Sequence, residues 1–237
     1  EVLLSPLKVS ADAKVPSQEQ VSVLAGHYQN GRYDDAEKVA VSLSIEFPCH
    51  NLSWKVLGAI FKHTGRIPES LVAKEKAVEL SPYDAEAHYN LGNALQDSGR
   101  LEDAETSLRQ AIALKPYYAE SHNNLGSTLK ELGRLEEAKA SYTQAIALKP
   151  DFAEAHSNCG ITLKALGRLE EAEARYREAI ALKPDYAEAY SNLGSTLQDL
   201  GRLDEAEVSH RQAITLKPHF AEAHNNLGNT LKELQRL

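Results

Sequence analysis

The chain has 237 residues and a formal net charge of -8, with an apolar fraction large enough to bury a core. The acidic balance excludes a general nucleic-acid binder, which needs a basic face to displace counterions. Two widely spaced cysteines, Cys49 and Cys159, exclude a disulfide framework and a zinc site, and no apolar run approaches the roughly 18 residues that a membrane span needs.

Residues 1–16 precede any periodicity. Glu1 to Pro6 show no basic stretch ahead of an apolar core, so they do not read as a secretory signal, and a cytoplasmic location is expected. Val2, Leu3, Leu4, Leu7 and Val9 give this segment an apolar side, which is expected to pack on the first repeat as a cap.

From residue 17 onward the chain repeats itself. Gly-Arg recurs at Gly31-Arg32, Gly65-Arg66, Gly99-Arg100, Gly133-Arg134, Gly167-Arg168 and Gly201-Arg202, each step being 34 residues. Pro48, Pro82, Pro116, Pro150, Pro184 and Pro218 keep the same beat. Residues 119–152 and 153–186 are identical at 24 of 34 positions, so the period is a structural unit and not a coincidence. Taking Ala85 as position 1 of a unit gives starts at 17, 51, 85, 119, 153, 187 and 221. Six full repeats then cover 17–220, and a partial seventh covers 221–237.

Each unit predicts two helices. In 85–98, Ala85, His88, Leu91, Gly92 and Leu95 share one helical face. Gly99 is expected to end that helix in a left-handed cap. A second helix starts near Leu101 with Glu102 and Asp103 in its first turn, where the dipole favours anions. Ala104, Leu108, Ala111 and Ile112 are its expected buried face, and Pro116 stops it. Pro68 fits the first turn of the corresponding helix one repeat earlier. Glycine at position 8 (Gly92, Gly126, Gly160, Gly194, Gly228) and alanine at position 20 (Ala104, Ala138, Ala172, Ala206) are expected to let helices approach closely. One pair cannot cover its own apolar face, but stacked pairs can.

Trp54, Leu57-Gly58, Gly65, Ala77 and Pro82, with the run from Ala85 to Asn93, resemble the tetratricopeptide repeat over about 17–237. The resemblance implies an all-α fold: a right-handed superhelical solenoid of antiparallel helix pairs. The stretch Ala145 to Asn158 is similar to repeats that precede the catalytic region of O-linked N-acetylglucosamine transferases, and to bacterial proteins with repeats fused to glycosyltransferase or sulfotransferase domains.

In such a fold the first helix of each pair lines a concave groove, and position 6 points into it. That position holds Asn90, Asn124, Asn158, Asn192 and Asn226, while the first two repeats depart from it with Ser22 and Val56. In the glycosyltransferase relatives, asparagines there hold a peptide backbone, and the resemblance implies that role for these five. An asparagine amide has both a donor and an acceptor and so matches a peptide group. Repeats about 8–10 Å apart would meet roughly every third residue of an extended chain. The alternative is that these amides only solvate an exposed helix face. Asn93, Asn123, Asn225 and Asn229 are secondary groove candidates.

Capture of an acidic tail reads as disfavoured, because position 2 is Glu86, Glu120, Glu154, Glu188 and Glu222 and Lys55 is the only cation at position 5. His88, His122, His156 and His224 stand one repeat apart, too far for shared metal ligation, and read as packing residues. Cys159 replaces leucine at position 7 and reads as a small buried apolar group. With no phosphate loop or nucleophile elbow, neither catalysis, cofactor nor metal is expected. The leading expectation is a scaffold that binds a protein or peptide in extended conformation. The alternatives are the substrate-recruiting arm of a glycosyltransferase and a structural protein assembling end to end. The half-repeat at 221–237 is the expected self-association surface, and Gln235, replacing the glycine of position 15, is expected to alter its turn.

Overall fold

A computed structural model describes residues 15–235. The expected packing of Val2, Leu3, Leu4, Leu7 and Val9 lies outside the described residues. Within them there are thirteen helices and no strand: an all-α repeat fold. They fall into two compact units, one ending at Leu114 and one starting at Lys115.

The first unit holds α1 (Gln18–Gln29), α2 (Tyr33–Glu46), α3 (Asn51–His63), α4 (Ile67–Leu80), α5 (Ala85–Asp97) and α6 (Leu101–Leu114). Each helix packs on the next, around Leu24, Leu43, Val56, Leu57, Ile60 and Phe61 toward one end and around Leu91, Leu95 and Ala104 toward the other. The second unit holds α7 (Ala119–Glu131), α8 (Leu135–Leu148), α9 (Ala153–Ala165), α10 (Leu169–Leu182), α11 (Ala187–Asp199), α12 (Leu203–Leu216) and α13 (Ala221–Glu233). Here too neighbours in sequence pack together, and α7, α9, α11 and α13 also touch one another in turn.

The turn inside each pair follows from its glycine. Gly99 takes φ 77°, its N–H donates to the Gln96 carbonyl at 2.9 Å, and the Arg100 N–H donates to the Leu95 carbonyl at 2.9 Å. This closes the orphan carbonyls of α5 as expected. The expectation for Gln235 is corrected: it adopts φ 55°, the same left-handed region, and donates to the Lys232 carbonyl at 3.0 Å. The α13 carbonyls still need a donor, so Gln235 takes the left-handed conformation that glycine holds in the other pairs, at the cost of backbone strain.

Arg66, Arg134, Arg168 and Arg202 stand before the second helices, and each pairs with the carboxylate three residues on, at 3.2, 2.5, 2.6 and 2.7 Å. Arg66 also reaches Glu37 at 2.7 Å, and Arg202 reaches Glu173 at 2.6 Å, so each ties its pair to the preceding one. The arginines are solvent-exposed, so screening keeps the contribution of each pair small.

Close approach at position 8 has a specific partner. A Cβ on Gly58, Gly92, Gly126, Gly160 or Gly194 would stand 2.6–2.9 Å from the side chain at position 24 of the same pair. Those side chains are Lys74, Leu108, Tyr142, Tyr176 and His210. All five are buried.

Cys159 is buried at the place where Leu57, Leu91, Leu125 and Leu193 are buried in their own pairs, and burial pushes its thiol pKa up. Cys159→Leu should therefore stabilise the protein by about 1 kcal/mol through added apolar burial. Urea unfolding measures this. An unchanged or lower midpoint would mean that the surroundings have closed around the smaller side chain.

Candidate functional site

The asparagines of position 6 sit in mid-helix on α5, α7, α9, α11 and α13, and all five are half-buried. In the second unit each one stands above a fully buried threonine four residues on. Thr128, Thr162, Thr196 and Thr230 donate to the carbonyls of Asn124, Asn158, Asn192 and Asn226 at 3.0, 3.0, 2.8 and 2.9 Å. A hydroxyl that bonds back to its own helix needs no other partner, so it can sit in the core while the asparagine faces outward. Asn-x-x-x-Thr, repeated every 34 residues, is the sequence signal for this arrangement, and the threonines were missed as part of it.

The amides do not all have the same freedom. Asn158 donates to Asn123 at 3.2 Å, and Asn123 donates to Asn124 at 3.0 Å. Asn123 is buried, so its amide serves as a tie between α7 and α9. Asn192 and Asn226 show no hydrogen bond through their amides among the described residues. Of the secondary candidates, Asn225 and Asn229 are exposed and Asn93 is half-buried.

Contacts from one first helix to the next hold the row. Lys164 on α9 pairs with Asp199 on α11 at 3.1 Å and donates to Ser195 at 2.6 Å. Gln198 on α11 donates to Glu233 and accepts from Thr230 on α13. Lys62 on α3 pairs with Asp97 on α5 at 2.7 Å in the first unit. These bonds fix the register between neighbouring first helices, and with it the spacing of the asparagines.

The glutamates of position 2 carry less free charge than their sequence suggests. Lys149, Lys183 and Lys217 pair with Glu120, Glu154 and Glu188 at 3.2, 3.4 and 2.8 Å. Lys217 and the backbone N–H hold the Glu188 carboxyl below the usual carboxylate range. The same lysines lie over Phe152, Tyr186 and Phe220 at 4.7–4.8 Å, which fixes the loops between pairs. Expected repulsion of an acidic ligand by this row is therefore reduced.

The histidines of position 4 have a defined use. A ring nitrogen of His88, His122, His156 and His224 bonds the carbonyl of Pro82, Pro116, Pro150 and Pro218 at 2.9, 3.2, 3.0 and 2.8 Å. The Trp54 indole does the same to Pro48 at 3.1 Å. The carbonyl accepts, so the bonded nitrogen carries the proton. No group of three or more metal-ligating side chains occurs among the described residues.

Lys62, at position 12, and Lys74, at position 24, lie outside the groove positions that the repeat pattern singles out for charge. Lys74 is buried, and its pKa is lowered to about 8 by burial first and by the charge of Lys62 second.

The family model described as a TPR repeat matches residues 58–99, 92–133, 126–167 and 162–201, and that of the tetratricopeptide repeat matches 187–220. No curated protein matches the chain. Among solved structures, the chain is similar to the MamA protein at 25% identity, covering 73% of this chain and 94% of that one, with a TM-score of 0.63. TTC0263 of Thermus thermophilus, described as a thermophilic TPR protein, is 25% identical over 77% of this chain and 100% of its own, with a TM-score of 0.62. YrrB, described as having an unusual peptide-binding site, is 21% identical over 78% and 96%, with a TM-score of 0.63.

Proposed function

The chain belongs to the tetratricopeptide repeat family, and on that premise we propose that it is a scaffold, not a catalyst, which holds an extended polypeptide by its backbone along the asparagines of position 6. Proteins of this family generally serve as protein-interaction scaffolds. The observation that carries the finer reading is the pair Asn192 and Asn226: half-buried, held in register by neighbouring bonds, and with amides that bond no other group among the described residues. Asn124 and Asn158 extend the row, with Asn123 as the group that positions them. Asn90 would act on the first unit. The proposed partition is six repeats over 17–220 with a half-repeat after them.

The test is Asn192→Ala with Asn226→Ala, assayed against a linear peptide selected on the unmodified chain. Two lost amide–backbone pairs at about 0.5–1.5 kcal/mol each predict roughly tenfold weaker binding. The melting temperature should hold or rise, because alanine is the better helix former. Unchanged affinity would leave these asparagines as solvating groups only. Asn158→Ala is a poorer test, since it strands the buried Asn123 oxygen and would lower stability as well.

Self-association is a second reading that one feature favours. A Cβ on Gly228 would touch nothing within 4 Å, and Leu227 and Leu231 are only half-buried, whereas Leu193 and Leu197 on α11 are buried. If that face docks on another copy, light scattering will show mass rising with concentration. A constant monomer mass would exclude it. No helix among the described residues is long and apolar enough to cross a membrane. A cytoplasmic setting, also proposed, would keep Cys49 and Cys159 reduced.

A further inference from the structure

The second helices of the first two pairs depart from the repeat pattern on their exposed side. Position 25 is Glu75, Arg109, Thr143, Arg177 and Arg211 in the later pairs, but Val41 in the first. Position 29 is Glu79, three alanines and Thr215 in the later pairs, but Ile45 in the first. Position 18 is acidic in every pair except at Pro68, and position 22 beside it is Val72. Ile45 is 77% exposed and Val72 62%. Aliphatic side chains scattered singly over a surface need no explanation, whereas contiguous ones mark a contact.

These side chains are contiguous. Val41 and Ile45 line a cleft on α2, together with Glu37. Trp54, Phe61, Pro68, Val72 and Ala73 line a second cleft, of about 320 Å³, on α3 and α4, together with Glu69. Arg66 joins the two. It pairs with Glu37 at 2.7 Å and with Glu69 at 3.2 Å, and it lies over the Phe61 ring at 4.1 Å. The acids at the junction are thus already paired, so an occupant of this trough gains from apolar contact rather than from charge.

We propose that the trough is the docking site of the chain's own residues 1–14. Composition, attachment and reach select that occupant. Val2, Leu3, Leu4, Leu7 and Val9 supply the apolar surface that the trough lacks. The described chain begins at Val15, just ahead of α1, and α1 packs on α2 through a turn of three residues. The start of α1 therefore lies at the same end of the pair as Ile45 and as Pro48, whose carbonyl accepts from the Trp54 indole. Fourteen extended residues reach about 46–50 Å, and α2 is only about 21 Å long, so the segment can cross the whole trough. Covalent attachment also gives it an effective concentration on the order of mM, which a separate copy does not match in dilute solution. The proposal does not rest on the asparagine row of the second unit.

Trp54 is the chain's only tryptophan and lines the trough, so its emission reports occupancy. The full chain would be compared with a triple variant, Leu3→Ser with Leu4→Ser and Leu7→Ser, with Val72→Lys, and with all four substitutions together. Val208→Lys is the control, since Val208 is exposed at the same position 22 in the second unit. The triple variant should shift Trp54 emission to the red and make it more open to acrylamide quenching. Val72→Lys should do the same. In the Val72→Lys background the three serines should add nothing, because the contact is already lost. Val208→Lys should leave the emission as it is. The difference between the unmodified chain and the triple variant should persist on dilution. The proposal is overturned if the serines leave Trp54 emission unchanged, which would leave the trough to a separate partner. It is overturned equally if the serines act as strongly in the Val72→Lys background as without it. It is also overturned if the difference vanishes on dilution, which would assign the trough to a second copy.

Discussion

His210→Tyr should stabilise the protein by about 1–3 kcal/mol at pH 7 and remove much of its loss of stability in mild acid. The His210 ring is fully buried against Gly194, and neither ring nitrogen has a hydrogen-bond partner among the described residues. Unpaired buried polar atoms cost roughly 1–3 kcal/mol. Tyr142 and Tyr176 occupy the same place in their own pairs, so tyrosine is known to fit it. The Tyr142 hydroxyl meets Ser127 at 3.0 Å, and Ser195 holds the position equivalent to Ser127 in the pair that contains His210.

The acid effect follows from the same burial. The His210 pKa is lowered from 6.5 to about 4, first by burial and then by the charge of Lys164. Between those values the unfolded chain binds a proton that the folded chain does not. Stability is therefore complete above about pH 6.5 and declines as pH falls toward 4, by roughly 3 kcal/mol for this one group. Carboxylates contribute their own acid loss in both proteins, so the informative quantity is the difference. Urea midpoints at pH 7 and pH 4.5 for the two chains measure it. The gap between tyrosine and histidine should widen in acid, and a gap independent of pH would refute the buried neutral ring.

Gly160→Ala and Gly228→Ala should have opposite signs, although both glycines hold position 8 of a first helix. A Cβ on Gly160 would stand 2.8 Å from Cε1 of Tyr176, a fully buried ring with nowhere to retreat. Overpacking of that kind costs about 1–3 kcal/mol. A Cβ on Gly228 would meet nothing within 4 Å, and relief of backbone entropy should contribute about 0.5–1 kcal/mol. Thermal melts of the two single variants decide the matter. Equal effects would mean that close packing at position 24 is not what keeps the glycine.

The helix pairs were legible because the period of 34 residues repeats each signal several times: the left-handed glycine, the proline and the apolar face. Position 8 was legible as a place of close approach. What approached it was not, since position 24 varies from Lys74 through Leu108 and Tyr142 to His210, and only the packed pair shows why each is tolerated. The asparagines could be placed on one face from spacing alone. Which of them were engaged could not, because the Asn158 to Asn123 bond joins residues 35 apart and depends on how α7 and α9 sit together. Gln235 misled for a related reason: a missing glycine suggests a changed turn, but the unpaired carbonyls of α13 dictate the conformation.

The most direct test of backbone capture replaces the ligand's peptide groups and leaves its side chains alone. A selected linear peptide would be compared with versions N-methylated at every third residue, in three registers, while the side-chain amide signals of Asn192 and Asn226 are followed by ¹⁵N NMR. The unmethylated peptide should shift both signals, scrambling its side chains should change affinity only modestly, and one methylation register should abolish both binding and shifts. Full binding in all three registers, or binding that leaves the two asparagine signals in place, would contradict the account.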